Sequence, residues 1–288
     1  LAAQPPARPA TLHHLPTHTA GLTYGTKLAS IGGVKVEDPV ALLYPVGDAA
    51  MARGLQAYAQ TIGQLPLRYQ PGTRWMYSVA TDIAGAIVET IAGKPLGKHL
   101  AEAIFAPLGM KDTGFHVPRD EAHRLAACYL AVPEESMRLA DDPASSSFLE
   151  PPMFESGGGG LVSTMDDYCR FAELLRKGGA PLLQAATLAT MTANQLSGDR
   201  ELKSIALVSD PRLVPEATGF GLGFATTLDD ARAGVPATGD YYWGGAATTI
   251  WWVDPTRNLT ALFMTQLLPA TAYDFQDWLK RQVYAALD

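Results

Sequence analysis

The chain has 288 residues, of which 29 are acidic and 22 basic, so its formal net charge is −7. A hydrophobic share of 47% and a charged share of 18% are ordinary for a globular protein with a large core, which excludes extended disorder. The acidic balance and the lack of a Lys/Arg-rich run disfavour nucleic-acid binding, and no apolar run approaches the roughly 18 residues that a membrane span requires.

The first ten residues, LAAQPPARPA, predict a proline-rich connector rather than the start of a domain. Because the chain opens with Leu1 and not with Met, we expect that a segment has been removed upstream. Two cysteines, Cys128 and Cys169, lie in helix-like apolar patterns and are expected to be buried free thiols. They do not fix the cellular compartment, and the oligomeric state is equally open.

Helices dominate the predicted elements of the first half. Apolar residues at helical spacing predict a helix over Met51–Ile62, which ends before Pro66. The spacing then predicts a helix from about Ser78 to Ala92 and another from Pro95 to about Phe105. The stretch 114–154 shows no sustained period, so we expect long connections with short strands there.

The second half opens with the glycine run Gly157–Gly160, followed by possible helix caps at Ser163 and Thr164 and an amphipathic helix to Gly178. The remaining pattern predicts a helix, four strands and a terminal helix, over 184–192, 219–228, 241–245, 247–254, 258–266 and 272–287. Consecutive strands and a closing helix favour an α+β fold, an antiparallel sheet with flanking helices. We expect a mostly helical domain over 1–150 and an α/β domain over 151–288.

One strand-like stretch, from Tyr241 to Trp252, reads YYWGGAATTIWW. Its aromatic and β-branched residues favour an extended strand, but Gly244 and Gly245 lie in its middle, where glycine weakens a strand and packs nothing. We expect another group to come close to the backbone there. The alternative is a simple strand bulge.

Metal and phosphate sites have little support. The histidines His13, His14 and His18 cluster without HExxH spacing, Cys/His pairing or an adjacent carboxylate, so no metal is predicted, and His18 is expected to hydrogen-bond within its own turn. The Gly157–Gly160 run lacks the Lys-Ser/Thr of a P-loop and follows no buried strand. We expect it to allow close backbone packing, and no cofactor is predicted.

Serine catalysis is the next possibility, but its usual motifs are missing. No serine lies in G-x-S-x-G, which excludes an ordinary α/β-hydrolase. In the other common arrangement, S-x-x-K, a lysine one helical turn after the serine receives the hydroxyl proton. None of the eight lysines has a serine three positions before it.

Four segments carry further information, and they are LHHLPTHTAGL, PGTRWMYSVATDIAGAIVETIAGKPL, SGGGGLVSTMDDYCRF and YYWGGAATTIWWVDP. In this order they resemble serine β-lactamases of class C, penicillin-binding proteins and, most of all, family VIII carboxylesterases, whose W-G-G strand replaces the K-T-G of β-lactamases. The resemblance implies a β-lactamase/transpeptidase-like fold with its active site between an α/β and a helical domain. In full-length members an S-x-x-K helix precedes the first segment.

The resemblance also implies roles for individual residues. Tyr77 matches the tyrosine of Y-x-N, which acts as general base or proton relay, and Val79 replaces the amide of that motif. Trp243 stands where K-T-G has a cation that binds the β-lactam carboxylate. The backbone N–H of Ala246 matches an oxyanion-hole donor. Valine and indole carry no charge, so both changes favour esters over β-lactams.

We therefore expect a carboxylesterase-type serine hydrolase that cleaves short-chain esters through an acyl-enzyme, with serine and lysine supplied upstream or by a separate N-terminal fragment. Gly244 and Gly245 would make room for the ester carbonyl, beside Trp243 and Val79 as substrate-binding residues. The expected partner is a small-molecule ester. Alternatives are a β-lactamase or D-peptidase of the same fold, or an inactive binding module without the nucleophile.

Overall fold

The computed structural model describes residues 4–25, 39–45, 47–132, 137–207 and 214–287. Leu1, on which the expectation of an upstream segment rests, lies outside the described residues. Helices fill most of the first part of the chain, and a five-stranded antiparallel sheet with helices around it forms the second. This arrangement confirms the α+β fold that the sequence predicts.

The described residues form strands in two sheets. The main sheet has the strand order β3-β4-β5-β6-β7 with antiparallel pairs throughout, and the small sheet has the order β2-β1-β8 with β1 and β8 parallel. The strands are β1 Cys128–Leu130, β2 Arg138–Asp141, β3 Thr218–Phe220, β4 Ala225–Thr227, β5 Tyr241–Gly244, β6 Ile250–Asp254, β7 Leu259–Phe263 and β8 Leu267–Leu268.

Both faces of the main sheet are covered, as strand β6 demonstrates. All its residues are buried, and Ile250 and Trp252 belong to one core cluster while Trp251 and Val253 belong to another. Since successive side chains of a strand point to opposite faces, the two clusters lie on opposite sides of the sheet. A strand buried on both faces needs apolar residues at every position, which explains the continuous run IWWV.

Helices cover the sheet and build the first part of the chain. Those described are α1 Asp48–Met51, α2 Gly54–Ile62, α3 Ala80–Ala92, α4 Leu96–Leu100, α5 Ala106–Leu108, α6 Met165–Arg176, α7 Ala185–Thr192, α8 Leu202–Ile205, α9 Asp230–Ala233 and α10 Phe275–Ala285. A π-helical turn, Ala101–Phe105, joins α4 to α5. Short 3-10 turns occupy Leu12–His14, Ala41–Leu43, Arg119–Arg124 and Ser147–Leu149.

Most predicted elements agree with the structure. The helices predicted over 51–62, 78–92, 95–105 and 184–192 correspond to α2, α3, the run from α4 to α5, and α7. Thr164 caps α6, since its side chain accepts a hydrogen bond from the Asp167 N–H at 3.3 Å.

The strand predicted over 219–228 is wrong, because the structure has two strands there, β3 and β4. A turn separates them, in which the Gly221 N–H donates to the Phe224 carbonyl at 2.7 Å and Gly223 has a φ of +96°. Glycine reaches this left-handed conformation at little cost, so the turn forms where the sequence has GLG. The strand predicted over 258–266 also ends early, at Phe263.

Packing crosses the predicted domain boundary at residue 150. The Trp75 N–H donates to the Ile205 carbonyl, and the Leu207 N–H donates to the Trp75 carbonyl, each at 3.0 Å. Trp75 and Met76 also share a core cluster with Trp252 of the main sheet. The division at 150 stays a prediction, but residues from both sides of it build one core.

The two cysteines are free, as predicted, but only one of them is buried. Cys169 is exposed on α6, because the apolar side of this amphipathic helix faces the sheet through Ala172 and Leu175. The buried Cys128 lies on β1 and not on a helix. The prediction for Cys169 is therefore wrong in burial, and the prediction for Cys128 is wrong in secondary structure.

Among the residues that the structure describes, none of the helices has the length and hydrophobicity of a membrane span. Among the same residues, no group of three or more His, Cys, Asp or Glu side chains is arranged to hold a metal ion.

An ion pair anchors the C-terminal helix α10 to the main sheet. Lys280 Nζ lies 2.5 Å from Asp240 Oδ2, where the Asp240 side chain is fully buried and that of Lys280 is 12% exposed. The Lys280 ammonium also lies 4.2 Å from the centre of the Tyr242 ring, a cation–π contact. Burial raises the pKa of Asp240, and Lys280 acts in the opposite direction. Lys280 thus compensates a carboxylate that has lost its water.

Removing this cation should destabilise the fold. We expect Lys280→Met to lower the free energy of unfolding at pH 7 by about 3–5 kcal/mol, because it leaves a buried charge unpaired. Because burial raises the pKa of Asp240 in the folded protein, its carboxyl group opposes folding only while it is ionised. The loss of stability in Lys280→Met should therefore shrink as the pH falls and Asp240 becomes protonated. Urea unfolding measures both effects. Lys203→Met, which breaks the exposed pair with Glu216, is the matched control and should cost at most about 1 kcal/mol; equal losses would contradict the assignment.

Candidate active site

Tyr77 lies on an extended segment that leads into α3. The segment is held on one side by the contacts of Trp75 with Ile205 and on the other by the Met76 N–H, which donates to the His18 carbonyl at 3.0 Å. Trp75 and Met76 are 1% and 0% exposed, whereas Tyr77 is only half-buried. The backbone is therefore fixed in the core while the Tyr77 side chain stays open on one side.

Three rings surround the Tyr77 side chain. The ring centres of His18, Tyr24 and Trp243 lie 4.9, 5.3 and 5.5 Å from the centre of the Tyr77 ring. His18 and Tyr24 come from the chain around HTAGL, and Trp243 comes from β5. The structure thus brings the two predicted site residues Tyr77 and Trp243 together and adds two residues to them.

The surroundings of Tyr77 act on its hydroxyl in opposite directions. Burial raises its pKa most strongly, hydrogen bonds from the Trp243 indole and the Tyr24 hydroxyl lower it, and the negative charge of Asp82 raises it. Burial also raises the pKa of Tyr24 far above its ordinary value. Both phenols therefore hold their protons at neutral pH, and Tyr77 needs a nearby cation to ionise.

His18 supports this group as a neutral ring. Its side chain is 2% exposed, and burial lowers its pKa to about 3. The prediction that its side chain hydrogen-bonds within its own turn is wrong, because Nδ1 lies 3.3 Å from the hydroxyl of Ser78, on the Tyr77 segment. The His18 backbone has a φ of +52°, and the ring lies in the core, where Trp75 and Phe220 also pack on it.

Ala246 lies at the tip of the hairpin between β5 and β6. The Thr248 N–H donates to the Gly245 carbonyl at 3.1 Å, and the Gly245 N–H donates to the Thr249 carbonyl at 2.8 Å. The Ala246 N–H has no acceptor among the described residues, and Ala246 is exposed. An N–H without an acceptor, on an exposed residue just after the strand that carries Trp243, is suited to an oxyanion donor, and this role of Ala246 stays a prediction.

Gly244 and Gly245 have a role inside the hairpin itself. A Cβ atom on Gly245 would lie 2.1 Å from the Thr249 hydroxyl oxygen, and one on Gly244 would lie 3.1 Å from the Thr249 carbonyl oxygen. A side chain at Gly245 would force the Thr249 hydroxyl to move, and one at Gly244 would press on the Thr249 carbonyl oxygen. The strand predicted over 247–254 accordingly begins at Ile250, after the turn. Room for a substrate carbonyl stays a prediction for both glycines.

Val79 precedes the first residue of α3 and faces the core. It is 3% exposed and belongs to a cluster with Leu22, Tyr58 and Ile62. The structure places this side chain among apolar neighbours near Tyr77 in sequence, and its role in substrate binding stays a prediction.

The glycine-rich segment packs against the start of α3, as the sequence predicts. A Cβ atom on Gly157 would lie 2.1 Å from the Thr81 carbonyl oxygen, so backbone meets backbone there. Asp82, which is 5% exposed, accepts hydrogen bonds from the Ser156 hydroxyl at 2.5 Å and from the Gly158 N–H at 3.2 Å. These contacts hold the glycine-rich segment against the helix that follows Tyr77.

Sequence reasoning missed Tyr24 and Asp82. Tyr24 stands within a recognised segment, but nothing in its spacing shows that its hydroxyl meets Tyr77. Asp82 has a weak signal, an acidic residue in the first turn of a predicted helix, which is ordinarily explained by the helix dipole. Both act through contacts that are distant in sequence.

Comparison with known proteins places this geometry in a family. A family model described as Beta-lactamase matches residues 1–286. The chain belongs to the beta-lactamase family. It is 34% identical over 281 residues to protein Rv1367c of Mycobacterium tuberculosis and 31% identical over 281 residues to esterase EstB of Burkholderia gladioli, which cover 93% and 92% of this chain. The chain spans 65% of the length of each of these relatives.

Solved structures agree with this assignment. EstCE1, described as a hydrolase with promiscuous acyltransferase activity, superimposes with a TM-score of 0.75 at 26% identity, over 96% of this chain and 71% of its own. Simvastatin synthase (LovD) from Aspergillus terreus gives a TM-score of 0.74 at 25% identity, over 98% and 70%. A penicillin-binding protein from Bacillus halodurans, at 18% identity, shares the fold with a TM-score of 0.62, over 97% and 73%. The fold is therefore β-lactamase/transpeptidase-like, as predicted.

The glycine-rich segment offers a test with a matched control. We expect Gly157→Ala to lower the free energy of unfolding by about 1–3 kcal/mol, because the new methyl group would displace the backbone of α3. Gly159→Ala should have almost no effect, because a Cβ atom at Gly159 would meet nothing within 4 Å. Denaturant unfolding compares the two variants. Equal stability of both would show that the close contact at Gly157 does not exist.

Proposed function

We propose that this protein is a serine hydrolase that cleaves short-chain carboxylic esters through an acyl-enzyme. The observation that carries the proposal is the position of Tyr77, half-buried among His18, Tyr24 and Trp243 and followed by the helix that packs on the glycine-rich segment. A fixed phenol that contacts Trp243, three residues before an N–H without an acceptor among the described residues, suits proton relay during acyl transfer.

The nucleophile is the component that residues 1–288 do not supply. No serine precedes a lysine by three positions in the sequence. We propose that a Ser-x-x-Lys segment outside these residues, on the same polypeptide or on a separate fragment, completes the site. The greater length of the relatives, of which this chain spans 65%, supports that proposal.

The reaction follows from the roles of these groups. The serine oxygen attacks the ester carbonyl while its proton passes to the lysine and Tyr77 pair. The negative oxygen of the tetrahedral intermediate accepts a hydrogen bond from the Ala246 N–H, and the pair returns the proton to the departing alcohol. Water then attacks the acyl-enzyme by the same route and releases the acid. Losing one oxyanion donor typically costs about 2.7–4 kcal/mol of transition-state stabilisation.

Two residues favour esters over β-lactams and peptides with a C-terminal carboxylate. Trp243 offers one N–H and no charge where a cation would hold that carboxylate, and the Val79 side chain has no polar atom. The relatives whose names state an activity include an esterase, an acyltransferase and a methylbutanoyltransferase. Acyl transfer to an alcohol other than water uses the same acyl-enzyme and fits the same groups.

Replacing the hydroxyl of Tyr77 tests the proposal. In the protein as it occurs in the cell, we expect Tyr77→Phe to lower kcat for p-nitrophenyl butyrate by about 10²–10⁴-fold, because the ring remains and the relay oxygen is lost. Tyr273→Phe, at a 50% exposed position, is the control and should leave kcat unchanged. Hydrolysis that survives Tyr77→Phe would remove Tyr77 from the mechanism.

Substrate preference provides the second part of that experiment. We expect the butyrate ester to be cleaved with a higher kcat/KM than a D-Ala-D-Ala peptide, because the site has no cation at position 243 for the peptide carboxylate. A preference for the peptide would replace the esterase proposal with the D-peptidase alternative.

A further inference from the structure

The proline-rich connector is fastened to the body of the protein at one place. Residues 4–13 are all exposed, and Pro5, Pro6 and Pro9 have no backbone N–H to donate. An exposed terminal segment of this kind is ordinarily mobile unless specific contacts hold it. Here the contacts come from a turn at 70–72, the anchor turn, so the connector follows a defined path over the surface.

Three hydrogen bonds join the connector to the anchor turn. The Ala7 N–H donates to the Gln70 side-chain oxygen at 2.7 Å, and the Gln70 side-chain nitrogen donates to the Pro5 carbonyl at 3.4 Å. The Arg8 Nε–H donates to the Pro71 carbonyl at 3.0 Å. One amide side chain thus holds two positions of the connector, and a guanidinium group holds the next.

The anchor turn is bonded to the residues that border Tyr77. The Gly72 N–H donates to the Thr19 carbonyl at 2.8 Å, and the Met76 N–H donates to the His18 carbonyl at 3.0 Å. The His18 and Tyr77 ring centres lie 4.9 Å apart. The connector therefore meets the protein beside the support of Tyr77, and its path sets the direction from which a segment ahead of it approaches the site.

His14 fixes the other end of the connector. Its Nδ1 lies 3.0 Å from the Thr11 backbone nitrogen and 3.2 Å from the Thr11 hydroxyl. Because a backbone N–H can only donate, Nδ1 is the acceptor and carries no proton, so the ring is neutral. A Cβ atom on Gly72 would lie 3.1 Å from His14 Nε2 and 2.5 Å from a terminal nitrogen of Arg8. The imidazole and the guanidinium thus meet at the anchor turn.

The surroundings of His14 oppose its protonation. Burial lowers its pKa most strongly, followed by the positive charges of Arg8 and His13, and the His13 and His14 ring centres lie 6.0 Å apart. The anchor turn, Gln-Pro-Gly, contributes no charge. A proton on Nδ1 would take the acceptor away from the Thr11 N–H and would place a second cation beside Arg8.

We propose that Arg8 and Gln70 are positioning residues that fasten the connector to the anchor turn, and that protonation of His14 releases this attachment. The inference rests on the proposed function, in which a Ser-x-x-Lys segment outside residues 1–288 completes the site. With that segment ahead of the connector on the same polypeptide, the attachment holds it towards Tyr77.

The pH dependence has a definite sign. Because the pKa of His14 is lowered in the folded protein, the fold favours the neutral ring, and the attachment is complete at neutral pH. It is lost as the pH falls through the folded pKa, which lies below the ordinary value of about 6.5.

Hydrogen exchange measures the attachment without any turnover. The peptide 4–11, read by mass spectrometry in the protein as it occurs in the cell, includes the amides of Ala7 and Thr11. We expect its protection, corrected for the intrinsic effect of pH, to fall by about tenfold or more between about pH 7.5 and about pH 5.

Three variants separate the groups involved. Gln70→Ala should lose the protection of Ala7 at both pH values. His14→Gln should keep the protection at the lower pH, because its amide oxygen can accept from the Thr11 N–H and does not titrate. His116→Gln, at an exposed histidine elsewhere, is the matched control and should behave like the wild type. Protection that does not fall in the wild type, or that falls equally in His14→Gln, would overturn the inference.

Kinetics test the positioning role. We expect Arg8→Ala and Gln70→Ala each to lower kcat for p-nitrophenyl butyrate by roughly threefold to tenfold with little change in KM, because a loose connector reduces the fraction of assembled sites. His14→Gln should raise the ratio of kcat at about pH 5 to kcat at about pH 7.5 above that of the wild type.

The two readouts distinguish the failure of this inference from that of the proposed function. Wild-type kcat in both Arg8→Ala and Gln70→Ala, despite lost protection, would remove the positioning role. If Tyr77→Phe leaves hydrolysis intact, the proposed function fails, and the exchange of the peptide 4–11 still decides whether protonation of His14 releases the connector.

Discussion

The extended segment 75–78 is the constraint on which the rest of the site depends. Its backbone is bonded to Ile205 and to the His18 carbonyl, its Trp75 and Met76 side chains fill the core beside the main sheet, and it leads directly into α3. Because an extended chain alternates its side chains, Tyr77 lies on the same side as Trp75 and opposite Met76, and the His18 ring accordingly packs on both Trp75 and Tyr77. The position of one phenol thus results from packing on both sides of the predicted domain boundary.

That position has an electrostatic consequence. The three rings around Tyr77 are neutral, so they exclude water from its hydroxyl without supplying a positive charge. Asp82 adds a negative charge. A site of this kind does not ionise Tyr77 alone, and the lysine of the proposed Ser-x-x-Lys segment would supply the cation that it needs. The same neutrality is the basis of the proposed preference for esters over substrates that carry a carboxylate.

The sequence was sufficient for the parts of this arrangement that depend on local pattern. Helical periodicity identified α3 and α6, and the recognised segments supplied Tyr77 and Trp243, two residues that the structure brings into contact. It was insufficient where distant contacts decide: the bond of His18 to Ser78, the approach of Tyr24 to Tyr77, and the closure of the hairpin over Gly245 join residues whose pairing leaves no periodic signal. The turn between β3 and β4 was not predicted, because the residues on both sides of its glycines also fit one continuous strand.

We propose that Tyr77 serves a serine nucleophile located outside residues 1–288. A direct test is to label the protein as it occurs in the cell with a fluorophosphonate, which reacts covalently with activated serines, and to map the modified peptide by mass spectrometry. We expect one modified serine outside these residues, followed by a lysine three positions later, and loss of labelling in Tyr77→Phe. Labelling of a serine within residues 1–288, or no labelling at all, would contradict it.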